Sequence, residues 1–229
     1  MDPRVLIVKR AAQELKDGQL VNLGFGMPTQ ASNYLAPGVR VMFHGENGVI
    51  GIGPKPTASK AQADVTNAGA EPITLVPGAA IMDLATSQGI MRKGYLDITI
   101  LGALEVDQLG NIANWAVKRN GKWWPGIGGA MDLCYGTKTV IACLMHTDKA
   151  GNSKVLKKCT LPLTGKGCLK TIITEKAVFD VGDNKLILKE HAPGVTLDEI
   201  RKCTDADFIV ADTFREMQFD EPKAALAAR

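Results

Sequence analysis

Residues 39–54 read VRVMFHGENGVIGIGP, an alternating apolar run that breaks into a glycine-rich stretch holding one carboxylate, Glu46. The run Val39–Phe43 predicts a short strand, and the glycines after it predict a tight turn, because glycine reaches positive φ at no steric cost. An acid in such a turn ordinarily faces water. A second reading stays open. In open α/β sheets the loops beyond the C-terminal ends of the strands line a crevice in which ligands bind.

Outward from this stretch, helical and strand patterns alternate. Residues 4–16 place Val5, Ile7, Val8, Ala11, Ala12 and Leu15 at helical spacing, and 20–23 follow as a short buried strand. A helix is expected over about 28–35, started by Pro28, with a turn at Ala36-Pro37-Gly38 before the strand at 39–43. Further strands are expected at 73–76, 97–101, 139–145, 170–174, 177–180, 185–188 and 208–211, with helices near 80–91 and over 196–203. Thr196 and Glu199 are spaced as a capping box for the last helix. The pattern predicts one α/β domain over 1–215, built on a central, mostly parallel sheet flanked by helices, with a polar, Ala-rich tail at 216–229.

Composition narrows the function classes. The chain has 229 residues with 27 basic and 24 acidic side chains of interspersed sign, so it carries no field suited to nucleic acid. No apolar run approaches the roughly 18 residues of a membrane span, and the N-terminus reads as an amphipathic helix, so a soluble, cytoplasmic protein is expected. The five cysteines form no C-x-x-C pair. His44, His146 and His191 lack the spacing of a metal site, and no metal is expected.

The glycine loops do not form nucleotide motifs. Gly24-Phe25-Gly26 and Gly126-Ile127-Gly128-Gly129 each open like a dinucleotide fingerprint, but Thr29 and Met131 stand where the third glycine belongs. Thr164-Gly165-Lys166 lacks both the upstream glycine and the hydroxyl residue of a phosphate loop. Taken singly, each loop is accounted for by the turns it makes.

Taken in order, the segments NLGFGMPTQASNYL (22–35), GENGVIGIGP (45–54), NAGAEPITLVPGAA (67–80), MRKGYLDITILGALEVDQLGNIANW (91–115), GIGGAMDL (126–133) and KKCTLPLTGKGCLKTIITEKAVFDV (157–181) resemble the β subunit of class I CoA-transferases. That family includes the succinyl-CoA:3-oxoacid, acetoacetate and 3-oxoadipate CoA-transferases. The resemblance covers about residues 10–210. It implies that Glu46 is a nucleophile that carries CoA, by a ping-pong route through a glutamyl-CoA thioester.

The implied chemistry suits the residues present. Exchanging one thioester for another is nearly isoenergetic and needs no cofactor beyond the CoA thioester itself. A carboxylate, with a reference pKa of about 4.3, is ionised at neutral pH and attacks without a general base. By resemblance, Gly24, Phe25, Gly26, Gly128 and Gly129 line the path of CoA, backbone donors near Gly129 stabilise an oxyanion, and Asn47 either supports the glutamate or serves as a turn residue. Asn111 and Asn114 are open to the same two readings. The resemblance spans only the β half of the enzyme, which implies a separate α subunit in a hetero-oligomer, with an acyl-CoA and a carboxylic acid as substrates. An acyl-CoA hydrolase of the same fold is the alternative. Two departures bear on specificity: Gly45 replaces the usual Ser, and Gln88 stands where 3-oxoacid members have Phe. The adjacent Trp123 and Trp124 are also unusual and read as packing or interface anchors.

Overall fold

The computed structural model describes residues 1–219. Asp2 opens the first helix, α1 (Pro3–Ala12), by accepting from the N–H groups of Arg4 and Val5, with Pro3 at the first helical position. The helix was expected to reach residue 16. It stops at Ala12 because the N–H groups of Gln13, Glu14 and Leu15 turn back to carbonyls three residues earlier, tightening the last turn.

The strands that follow are β1 (Leu20–Leu23), β2 (Met42–Gly45), β3 (Val49–Ile52) and β4 (Leu75–Ile81), with a 3-10 helix, Met27–Tyr34, where a helix was expected over 28–35. Helix α2 (Leu84–Arg92) leads to β5 (Ile98–Gly102), three short strands β6 (Glu105–Asp107), β7 (Ile112–Ala113) and β8 (Ala116–Arg119), then β9 (Lys122–Pro125) and α3 (Ala130–Gly136). The chain continues through β10 (Thr139–Cys143), β11 (Val155–Leu156), β12 (Leu169–Ile173), β13 (Ala177–Val181), β14 (Leu186–His191), α4 (Leu197–Cys203) and β15 (Phe208–Glu216). The capping box of α4 is present, with Thr196 and Glu199 satisfying each other's backbone.

Ten strands form the main sheet in the order β15-β14-β13-β12-β10-β5-β1-β2-β3-β4. The middle run β12-β10-β5-β1-β2 is parallel throughout. Antiparallel pairs flank it on both sides, β12-β13-β14 on one and β2-β3-β4 on the other, and β15 returns parallel to β14. Helices cover both faces, so the central strands are apolar on both sides. In β5, Ile98 and Ile100 pack with Ile7 and Ala11 of α1, whereas Leu101 packs with Met91 of α2 and Leu133 of α3. Arg10 of α1 is buried and donates to Glu190 of β14 at 2.6 Å, which fixes that helix across the sheet.

Two differences from expectation matter for function. The strand expected at 39–43 lies at 42–45, since Arg40 is drawn to the 17–19 loop by hydrogen bonds from its N–H to Asp17 and from Gly18 N–H to its carbonyl. Residues 49–52, expected as glycine-rich loop, form β3. Glu46 therefore sits in a three-residue hairpin turn at the C-terminal end of a central-sheet strand, with Gly48 at φ +111° and its N–H donating to the Gly45 carbonyl. At the other end, β15 runs past residue 215 and Met217 is buried, so the expected tail begins inside the fold; 220–229 lie outside the described residues. No helix of the described residues is long and apolar enough to cross a membrane.

Candidate active site

The 45–48 turn is tied down along its backbone. Ser87 of α2 donates its hydroxyl to the Glu46 carbonyl at 3.0 Å, Met82 donates its N–H to the Gly48 carbonyl at 2.9 Å, and Asn47 donates its side-chain amide to the Thr66 carbonyl at 2.9 Å. The Glu46 carboxylate is held separately. Its Oε1 accepts from the N–H of Gly129, the residue that caps the start of α3, at 3.0 Å.

The glycines at 128 and 129 are required by this approach. A Cβ at Gly128 would lie 2.9 Å from Glu46 Oε1, and one at Gly129 would lie 3.0 Å from both Cδ and Oε2. Only residues without side chains let the carboxylate reach the backbone donor. Two helices thus hold one acid, α2 at its backbone and α3 at its carboxylate. They are joined to each other by Arg92 and Asp132 at 2.7 Å, and Gly136 of α3 packs so closely on Met91 of α2 that a side chain there would strike the Met91 carbonyl.

Glu46 opens onto a cavity of about 800 Å³ lined also by Phe25, Gly26, Asn67, Gly69 and Ile73. Phe25 is 77 % exposed at its mouth. Of the residues expected at the site, Glu46, Gly128 and Gly129 meet directly, and Phe25 and Gly26 share the cavity. Gly24 does not line it: a Cβ there would fall 3.1 Å from the Ile100 carbonyl and Leu101, so strand packing demands that glycine. Asn47 is exposed and turned toward Thr66. Gln88 does not line the cavity either.

Asn111 and Asn114 are structural. Asn114 donates to the Gly102 carbonyl and pairs with Thr164, while Asn111 receives the Gly167 N–H, so the GNIANW and TLPLTGKG segments lock one another. Glu105 accepts from the backbone of Thr160 and Leu161 in the same unit. The buried thiol of Cys143 is pushed up to about 12 by burial, which makes it a poor nucleophile.

His44 and Ser87 are the residues that sequence reading missed. His44 is 2 % exposed, its Nε2 lies 3.0 Å from Ser87 Oγ, and its Nδ1 is buried without a partner. Burial pushes its pKa down to about 4. His146, fully buried between Thr174 and Thr204, is likewise held to about 4, first by burial and then by the charge of Lys176.

These two imidazoles make the fold acid-labile. Above about pH 6.5 both are neutral whether the chain is folded or not. Between about 6.5 and about 4 the unfolded chain binds protons that the folded chain refuses, so stability present at higher pH is lost as pH falls through that window. Thermal melts should show the melting temperature dropping across it. A melting temperature that stays level down to about pH 4 would contradict this expectation.

A lone acid at a backbone donor, clamped at a strand end beside a large cavity, is the equipment for covalent carboxylate catalysis, and comparison with known proteins agrees. The family model described as Coenzyme A transferase matches residues 5–202. This chain belongs to the coenzyme A transferase family. The β chain of the Haemophilus influenzae acetate CoA-transferase is 47 % identical over 224 residues, covering 96 % of this chain and 98 % of that one. The smaller-letter counterpart in Helicobacter pylori strain 26695, the B-type chain of a succinyl-CoA:3-ketoacid coenzyme A transferase, is 47 % identical over 207 residues, covering 90 % and 99 %. Among solved structures, the acyl-CoA transferase YdiF apoenzyme of Escherichia coli O157:H7 superposes with a TM-score of 0.73 at 25 % identity. The match covers 95 % of this transferase chain and 43 % of that longer protein.

Proposed function

We propose that this chain is the β-type subunit of an enzyme that moves CoA between an acyl-CoA and a free carboxylic acid, with Glu46 as the covalent carrier. The observation that carries this reading is the Glu46 carboxylate resting 3.0 Å from the Gly129 N–H. In the first step a Glu46 oxygen attacks the thioester carbonyl, the C–S bond breaks, and CoA leaves as thiolate with an acyl-glutamyl anhydride behind. The thiolate then attacks the Glu46 carbonyl, the donor carboxylate departs, and a glutamyl-CoA thioester remains. The acceptor acid runs both steps in reverse. No proton has to be abstracted from the nucleophile, and no cofactor besides CoA enters the balance.

The Gly129 N–H has a use in the second step. The Glu46 oxygen it binds at rest becomes the oxyanion when thiolate attacks the glutamyl carbonyl, so the donor is in place before charge develops. The cavity beside Glu46 receives the acyl-CoA. Large apolar side chains lie exposed on the segments that hold the acid: Ile81 and Leu84 around the start of α2, Trp124 on the hairpin before Gly128, and Met131 on α3. An apolar rim of this kind fits a subunit interface, and a separate α subunit is the partner we assign to it.

The test is to assay thioester loss with the purified chain alone and with an α subunit co-expressed, in the presence and absence of acceptor acids. The single chain should be inert, and the two-subunit enzyme should act only when an acceptor is supplied. Full turnover by the single chain would remove the assigned partner, and thioester loss without an acceptor would identify an acyl-CoA hydrolase.

A further inference from the structure

We propose that His44 and Ser87 act as a positioning pair for Glu46, a hydrogen-bonded relay that sets where the nucleophile stands without touching substrate. The inference rests on Glu46 being the CoA carrier, and it concerns residues that the carrier chemistry itself leaves unused.

A serine hydroxyl has one proton to give and room to accept. Ser87 Oγ lies 3.0 Å from the Glu46 carbonyl and 3.4 Å from the Gly45 carbonyl, both acceptors only, so its proton goes to this pair of backbone oxygens. The His44 contact to the same Oγ, at 3.0 Å, must then run the other way, with Nε2–H donating. This fixes the imidazole as the Nε2–H tautomer and leaves Nδ1 as a bare acceptor. Nδ1 is the atom that finds no partner. A fully packed apolar side chain at position 44 would avoid that orphan, so the orphan marks what the imidazole is kept for, which is the proton it holds toward Ser87.

The direction of the relay explains its reach. His44 precedes Glu46 by two residues on the same strand and turn, yet its side chain reports to α2, not to the turn. Through Ser87 it aims the single proton at the carbonyl of the residue whose carboxylate α3 holds from the other side. The Asn22 side chain adds a second tie by donating to the His44 carbonyl at 3.1 Å while accepting from Thr99. The strand end beneath Glu46 is thereby anchored to β1 and β5 on one side and to α2 on the other. With the backbone fixed, the position of the carboxylate depends on its own side-chain torsions alone.

The experiment uses the enzyme assembled with its second subunit and acetoacetyl-CoA as the probe, and follows the covalent adduct by rapid quench and intact mass. Ser87→Ala should form the same adduct on Glu46 about 10- to 100-fold more slowly, with KM for the thioester within about twofold of wild type, because the nucleophile is misplaced while the binding cavity is intact. His44→Leu should slow the step similarly. The double substitution should be no slower than Ser87→Ala alone, since His44 works through Ser87. His44→Gln, whose amide can donate to the same oxygen, should recover most of the rate. If Ser87→Ala does not assemble, Ser87→Cys, a weaker donor of the same shape, carries the same expectation. Adduct formation at the wild-type rate in the serine variant, or effects that multiply in the double variant, overturns the relay while leaving Glu46 as carrier. Absence of a Glu46 adduct in the wild-type enzyme overturns both.

Discussion

Glu46→Ala should abolish turnover in the assembled enzyme and, with it, a covalent adduct that the wild-type chain forms when given acyl-CoA and no acceptor. The adduct should be heavier than the chain by CoA less one water and should map to the peptide containing Gly45-Glu46-Asn47. Hydroxylamine should discharge it, because a glutamyl thioester is an electrophile and a hydrogen-bonded carboxylate is not. Glu105 is the internal control: its two oxygens are engaged by Thr160 and Leu161, and it should remain unlabelled. Glu46→Asp should lose most activity as well. Drawing the carboxylate back by one methylene pulls it from the Gly129 N–H, and a displacement of about 1 Å can cost on the order of 100-fold. Wild-type turnover in Glu46→Ala, or an adduct on another residue, would refute the assignment.

Gly129→Ala should come close to that loss while leaving the fold intact. Gly129 has φ −87° and ψ 7°, a conformation alanine adopts without strain, and its N–H survives the substitution. What changes is the added methyl, 3.0 Å from Glu46 Cδ and Oε2 and 3.3 Å from its Cβ. The carboxylate must move off the donor. A drop in kcat of about 100-fold is expected, equivalent to about 2.7 kcal/mol in the barrier, with a nearly unchanged melting temperature. Gly128→Ala is a less clean probe, since φ +50° adds backbone strain to the same collision. Unchanged turnover in Gly129→Ala would mean that the working carboxylate does not rest where the structure has it.

Much of the fold was legible in the sequence because the central strands are short, apolar and bounded by glycine or charge, as at Ile98–Gly102 and Thr139–Cys143. β3 was not. Gly51 and Gly53 interrupt its alternation, and its register shifts between Ile50 and Ile52, so it reads as loop until paired with β2 and β4. Helix α3 was missed because it has only seven residues and a glycine, with no side chain, as its N-cap. Glu46 stood out through its motif. Its supports did not, since the contact of Ser87 with Glu46 joins positions 41 residues apart and exists only once α2 packs across the strand end.

The two sets of contacts around Glu46 come from different stretches of chain. The groups that hold the acid lie at 44, 87 and 128–129, whereas the cavity walls come largely from 25–35 and 67–76. Substitutions in the second set can therefore change which acid is accepted without disturbing the nucleophile. For anyone redesigning the enzyme, the 67–76 segment is the place to vary, and the α2–α3 clamp is the part to leave alone.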